Sequence, residues 1–235
     1  MFKIILNKKT YLSIVILFFL IGCGGGESAN SSNVINFNVN GKSNGYSQRE
    51  ELNAYREIPE LNREYQRIEA ESNLTTTGSK EAISDIHTKL LNAINEKRAQ
   101  RITCGDHGTF GPVHPLTWNN NLHASAIEHI MDLAFSRTFS HDGSGTQYDI
   151  TGHGRPSKFY ERIVANGYNN YYSVGENIAG GQRTITEVMN AWMASPGHCE
   201  NIMKSTYTEV GVSVIKIDGS PYTYYWGQNF GSKRR

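Results

Sequence analysis

Net charge is almost absent from this sequence: 23 Lys and Arg against 22 Asp and Glu leave +1 at pH 7. That balance excludes the bulk attraction that draws a basic domain to nucleic acid or to an anionic surface. Long apolar runs are scarce too. The stretch from Tyr11 to Ile21, broken by Ser13, is too short to span a bilayer, which takes about 20 residues. Cysteine is rare. With three in the chain, no more than one internal bridge can form. No internal repeat is present, and neither a Ser-His-Asp signature nor a metalloprotease helix motif can be read from the chain.

What is present begins with an export signal. Lys3, Lys8 and Lys9 precede the apolar run, with no acid among them. A basic start followed by a short apolar core is the layout of a secretory signal. The run ends in Leu20-Ile21-Gly22-Cys23, which resembles the lipobox of bacterial lipoproteins. The resemblance implies that 1–22 is a lipoprotein signal peptide and that Cys23 becomes the lipidated N-terminus. The alternative is an uncleaved anchor with an incidental cysteine. Several acyl chains, palmitate among them, would hold the protein stably at a membrane. Gly24 follows the cysteine where some diderm bacteria place the Asp of inner-membrane retention. The expected location is therefore the cell envelope, at the outer membrane or cell surface.

Assigning Cys23 to lipid leaves Cys104 and Cys199 as a pair. Export implies an oxidising compartment, where such a pair is bridged. The remaining chain divides by composition. Residues 23–48 are rich in Gly, Ser and Asn and read as a flexible tether. Residues 49–78 are dense in Glu and Arg, with thinly spaced Leu52, Tyr55, Leu61 and Tyr65. They read as a charged, partly helical, solvent-exposed spacer broken near Pro59. Residues 79–235 read as one folded domain. Ile83, Ile86, Leu90 and Ile94 recur at helical spacing, so Ser79 to Arg98 is an expected helix capped by Ser79. Further helices are expected over Asn119–Ser136, Ser157–Ala165 and Thr184–Ala194. The last carries a Thr184/Glu187 capping box. Tyr171 to Val174 reads as extended. Alternating valines from Glu209 to Ile215, a turn at Asp218-Gly219 and aromatics from Tyr222 to Gln228 make a hairpin.

The ordered motifs carry a family resemblance. They are Asn95-Glu96-Lys97-Arg98, Leu116-Thr117-Trp118, Phe139-Ser140-His141 and Gly175-Glu176-Asn177-Ile178. Then come Trp192-Met193-Ala194-Ser195-Pro196-Gly197-His198, Glu209-Val210-Gly211-Val212 and Tyr225-Trp226-Gly227-Gln228. In this order they resemble the bacterial branch of the CAP superfamily (cysteine-rich secretory, antigen 5 and pathogenesis-related proteins), also called the SCP domain. The resemblance covers Ser79 to Arg235. It implies an α+β fold, an α-β-α sandwich with a central antiparallel sheet.

It also implies a cleft of two histidines and two acids, which in some members holds a divalent metal. His141 matches the first histidine and Glu176 the acid of the Gly-Glu-Asn motif. The second acid is replaced by Ser195. The second histidine of eukaryotic members is missing from Ser205-Thr206-Tyr207-Thr208-Glu209, and His198 of the Ser-Pro-Gly-His turn takes its place, as in bacterial members. His141, Glu176 and His198 are therefore the candidate site. Two imidazoles and a carboxylate are a zinc set with water in the fourth position. The other reading is a polar structural network, which gathers the same groups. His123 and His129 lie on an apolar helical stripe and read as hydrogen-bonded core histidines. Tyr222, Tyr224 and Trp226 read as sheet packing. Functionally, the broken acid set favours a non-catalytic binding module for a lipid, sterol, envelope or host partner. A metal-dependent hydrolase of envelope peptides or polymers is the alternative.

Overall fold

The computed structural model describes residues 46–72 and 76–234. The expected signal peptide, Cys23 and nearly all of the tether lie outside the described residues. Three helices come first: α1 (Tyr46–Glu57), α2 (Pro59–Ser72) and α3 (Thr76–Arg98). Short strands β1 (Ile102–Thr103) and β2 (Thr109–Phe110) pair with each other, and β3 (Thr117–Trp118) leads into α4 (Asn120–Ser136). Then follow α5 (Phe159–Ala165), β4 (Tyr171–Gly180), α6 (Ile185–Ala194), α7 (Pro196–Met203), β5 (Glu209–Lys216) and β6 (Tyr224–Lys233).

The fold is α+β, built on a four-stranded sheet of order β3-β5-β6-β4. The β5–β6 hairpin and the β4–β6 pair are antiparallel, whereas β3 joins β5 in parallel. The valines of β5 alternate as expected. Val210, Val212 and Val214 share a core with Leu90 and Ile94 of α3, Trp192 of α6 and Ile202 of α7. On the opposite face, a Cβ at Gly211 would strike the backbone of His123, and one at Gly227 would press Ile130 and Ala126. Glycine at these two points lets α4 lie directly on the sheet.

β4 is an edge strand. The carbonyls of Val174, Glu176 and Ile178, two residues apart, point to the same side. Each is met by a side-chain donor: Tyr207 Oη at 3.1 Å, Asn201 Nδ2 at 3.3 Å and Trp192 Nε1 at 3.2 Å. An open edge is a template for foreign strands, and these donors close it. Cys104 and Cys199 are bridged, tying the loop after β1 to α7 with Cα atoms 5.5 Å apart.

Local signals place the ends of α4 and α6, while α7 (Pro196–Met203) begins where Ser195-Pro196-Gly197 reads only as a stop. Asn119 caps α4 by accepting from the amides of Asn121 and Leu122. Thr184 caps α6 by accepting from Glu187, but Glu187 reaches the amide of Arg183 at 2.7 Å rather than that of Thr184. α3 begins at Thr76, so Ser79 lies inside the helix and not at its cap.

The largest departure concerns the expected spacer. It is helical and bends just before Pro59, but it is not solvent-exposed. Ala54, Tyr55, Ile58, Leu61 and Tyr65 are buried in the same core as Ile86 and Val212. Few apolar residues suffice because each short helix turns its buried positions, Ala54 and Tyr55 on α1 and Leu61 and Tyr65 on α2, towards the same core. Polar contacts fasten the arm. Lys89 pairs with Glu64 at 2.9 Å and donates to the Glu60 carbonyl at 2.7 Å. Glu60 Oε1 accepts from the Thr186 amide at 3.2 Å, joining α2 to the start of α6.

Candidate functional site

Glu176 sits near the middle of β4 with its side chain 3% exposed. Its Oε1 accepts from His141 Nδ1 at 3.0 Å. Its Oε2 accepts from Arg162 Nη2 of α5 at 2.9 Å. His129 of α4 lies 3.6 Å from Oε1 and donates through Nε2 to the Ser140 carbonyl at 2.9 Å. Arg162 also donates to the His141 carbonyl at 2.8 Å and to the carbonyl and hydroxyl of Ser157 at 3.0 Å. The guanidinium thus fixes both the carboxylate and the loop that carries His141. Two of the three residues expected from the sequence, His141 and Glu176, are in direct contact. His198 of α7 stands apart from them, its ring centroid 6.4 Å from that of His141.

Burial by itself would raise the Glu176 pKa. His129, the His141 hydrogen bond and Arg162 outweigh burial and hold the carboxyl below its usual value. Burial pushes His129 down to about 4, so it is neutral at pH 7. At pH 7 the direct bonds to the anion come from Arg162 and His141. His198 is lowered by burial and then by the neighbouring His141.

Arg162 and His129 were missed as site residues. His129 was expected only as core, and buried it is, at 1%. The one available signal for Arg162 was its position on the buried stripe of α5, three residues after Phe159 and one before Ile163. His123 behaves as expected, bonding the Val212 carbonyl through Nδ1 at 2.7 Å.

A metal centre does not fit these residues. Glu176 is committed to a guanidinium and an imidazole N–H, and the fixed positive charge of Arg162 opposes a cation there. Among the described residues, no three His, Cys, Asp or Glu side chains gather as a metal would require.

Beside the polar cluster lies an open cleft of about 250 Å³. Its lining includes Phe139, Ile178, Gln182, Trp192, His198 and Tyr222. Ser195, standing where the family's second acid was expected, also lines it. Phe139 and Tyr222 are 40% and 42% exposed, with ring centroids 4.8 Å apart. Tyr224 and Trp226 pack in the sheet as expected, but β6 starts at Tyr224, and Tyr222 lies outside it at the cleft mouth. A Cβ at Gly180 would meet the Tyr222 ring at 2.8 Å and that of Phe139 at 3.1 Å. Glycine there lets both rings close over the end of β4.

The buried His129 and the half-buried His87 make a pH prediction. His129 is lowered to about 4 by burial, and His87, stacked on Trp118, is lowered to about 2 by burial and then by His123. Unfolded, each binds a proton near pH 6.5; folded, neither does until far lower pH. The unfolded state thus holds more protons as pH falls, and stability falls with it. Asp132, raised by burial, runs the other way within the carboxylate range. Between pH 7 and pH 5 the His129 contribution amounts to about 2 kcal/mol. Urea unfolding at the two pH values should show the loss from both histidines, and His129→Gln should remove about half of it. Equal stability at both would refute the account.

Helices packed on a small sheet, with the bonded His141–Glu176 pair beside an open cleft at the end of β4, define an SCP-type domain. The profile of the cysteine-rich secretory protein (CAP) family matches residues 91–230, and the chain belongs to that family. A curated relative, the uncharacterized protein YkwD of Bacillus subtilis (strain 168), is 29% identical over 164 residues, which are 70% of this chain and 54% of YkwD. The chain thus spans about half the length of that relative. Among solved structures, it is similar to an extracellular SCP-domain protein from Bacillus anthracis str. Ames, with a TM-score of 0.48 and 22% identity. That match covers 68% of this chain and 44% of the other. An outer surface protein from Borrelia burgdorferi gives a TM-score of 0.47 and 18% identity, covering 66% of this chain and 96% of the other.

Proposed function

We propose that this CAP-family protein is an extracytoplasmic lipoprotein whose domain is a binding module rather than an enzyme. Anchoring rests on the lipobox-like Leu20-Ile21-Gly22-Cys23. Export is supported by the Cys104–Cys199 bridge, a bond of oxidising compartments. The observation that carries the binding reading is the pairing of an open, aromatic-lipped cleft with a neighbouring charged cluster that is satisfied internally. Glu176, Arg162 and the Nδ1 of His141 bond one another, so their role is to hold the cleft wall in shape. Such a concave apolar site with a few placed polar groups is the usual form of a ligand pocket. The partner belongs to the envelope or to a host surface, with no part for nucleic acid.

One observation favours an enzyme. A buried carboxylate on Nδ1 leaves Nε2 of the half-exposed His141 as a base able to activate water, the orienting logic of a carboxylate–histidine pair. This would be a hydrolase of envelope peptides or polymers needing no metal.

The full chain in detergent, incubated with lipid and polysaccharide extracts of the envelope, separates the two. The binding reading expects a saturable change in Trp emission that Phe139→Ala weakens at least tenfold, without turnover. Product release from an envelope peptide or polymer, abolished by Glu176→Gln, would replace it with the hydrolase.

A further inference from the structure

Away from the cleft, α1, α4 and β5 bring a second buried acid and histidine together. His123 of α4 is 5% exposed and Glu51 of α1 is 3% exposed. The Nδ1 of His123 lies 2.7 Å from the Val212 carbonyl. A carbonyl only accepts, so Nδ1 carries a hydrogen. In the neutral ring Nε2 is then a bare lone pair. That Nε2 is buried without a hydrogen-bond partner, and the nearest acid oxygen, Glu51 Oε2, stands 3.6 Å away. Two acceptors turned toward each other in a buried interface repel. One proton on Nε2 converts the same contact into a charge-assisted pair.

The groups facing the pair suit that charge state. From β5, the Ser213 hydroxyl donates to Glu51 Oε1 at 2.8 Å and supports the anion. Tyr55, one turn further along α1, keeps its phenol proton because of burial and then of Glu51, so it adds no second negative charge. His87 of α3 has its ring centroid 4.8 Å from that of His123 and is stacked on Trp118. Burial and then His123 hold His87 neutral at pH 7, so it adds no second positive charge.

We propose that the α1–α2 arm is latched to the rest of the domain by a proton on His123 Nε2 facing Glu51, so that docking of the arm is pH-dependent. The docked arm holds a proton that the released arm gives up above pH 6.5, the ordinary value for a histidine. The latch is therefore at full strength below that pH and is lost as pH rises. This sense is opposite to that of His129 and His87. Removing the proton leaves an acid and a lone pair apposed, which pushes α1 outward. Because Glu60 of the arm also accepts from the Thr186 amide, the latch bears on the start of α6 and so on the wall that carries Trp192.

The full chain in detergent, labelled with 15N at histidine, is followed by NMR at pH 7.5, with His123→Gln assigning the signal. Both ring nitrogens of His123 should carry hydrogen there to a far greater degree than those of the exposed His153. Protection of the α1 amides against hydrogen exchange, corrected for the intrinsic rate, should fall about tenfold between pH 6.5 and pH 8, the effect of one linked proton. Glu51→Gln offers an N–H to the bare Nε2 without drawing a proton from solution. Its arm should stay docked and lose the fall with pH. The proposal is overturned if His123 is protonated no more than His153, if α1 protection in the parent does not fall with rising pH, or if Glu51→Gln keeps the fall.

Discussion

Arg162→Met is expected to cost about 3–5 kcal/mol of unfolding free energy, the usual penalty for removing one partner of a buried ion pair. Arg162 and Glu176 are 1% and 3% exposed, so bulk solvent screens their contact at 2.9 Å little. Without the guanidinium, the Glu176 anion keeps only the His141 bond and the more distant His129. The carbonyls of His141 and Ser157 lose their donor as well. The carboxyl then protonates, and the loop carrying His141 loosens. Urea denaturation at neutral pH measures the loss, and the double variant Arg162→Met/Glu176→Gln should recover part of it. A loss under about 1 kcal/mol would mean that the pair is peripheral. A folded Arg162→Met protein with unchanged hydrogen-exchange protection at His141 would show that the loop does not depend on it.

The second large effect is expected outside the region that matches the family. Leu61→Ala should destabilise the protein by about 2–5 kcal/mol, as truncation of a fully buried leucine does. Leu61 is 0% exposed and packs with Ile58 and Tyr55 against the domain core. A spacer leucine would cost about 0.5 kcal/mol or less. Denaturant midpoints of the full chain separate these outcomes. The result bears on function, because α2 also holds the first turn of α6 through Glu60 and Thr186, and α6 carries Trp192 of the cleft. A detached arm would leave that wall unsupported.

The arm is hidden in the sequence where the hairpin is plain. In the hairpin, alternation is a property of consecutive residues, so Val210, Val212 and Val214 announce their shared face by themselves. In 49–72 the density of Glu and Arg masks the stripe. Leu61 and Tyr55 read as isolated apolar residues until α3 and β5 are in place to receive them. Glu51 shows the same limit. It looks like another surface acid, yet it is 3% exposed and accepts from the Ser213 hydroxyl at 2.8 Å. Tyr222 failed in the opposite direction. Its spacing fitted a strand, but the turn after Asp218 runs longer, and the ring is left at the cleft mouth.

The candidate site was legible to a comparable degree. Motif resemblance picked out His141, Glu176 and His198, and the first two do meet. It could not supply Arg162 or His129, because their roles depend on how α4 and α5 lie across β4. It also could not say that the acid is already paired, which is what turns a zinc-like residue set into a structural cluster.

By itself, then, the sequence determined the α+β class, the family, the ends of α4 and α6 and the β5–β6 hairpin. Each follows from periodicity, capping chemistry or the order of motifs, all of which act between near neighbours or are carried by residue identity. Only the tertiary structure decided that the charged N-terminal segment is core, that Arg162 neutralises Glu176, and that Phe139, Gln182 and Tyr222 share one cleft. Those outcomes depend on side chains far apart in the chain meeting at one place, where burial and charge compensation choose among pairings that local pattern leaves equal.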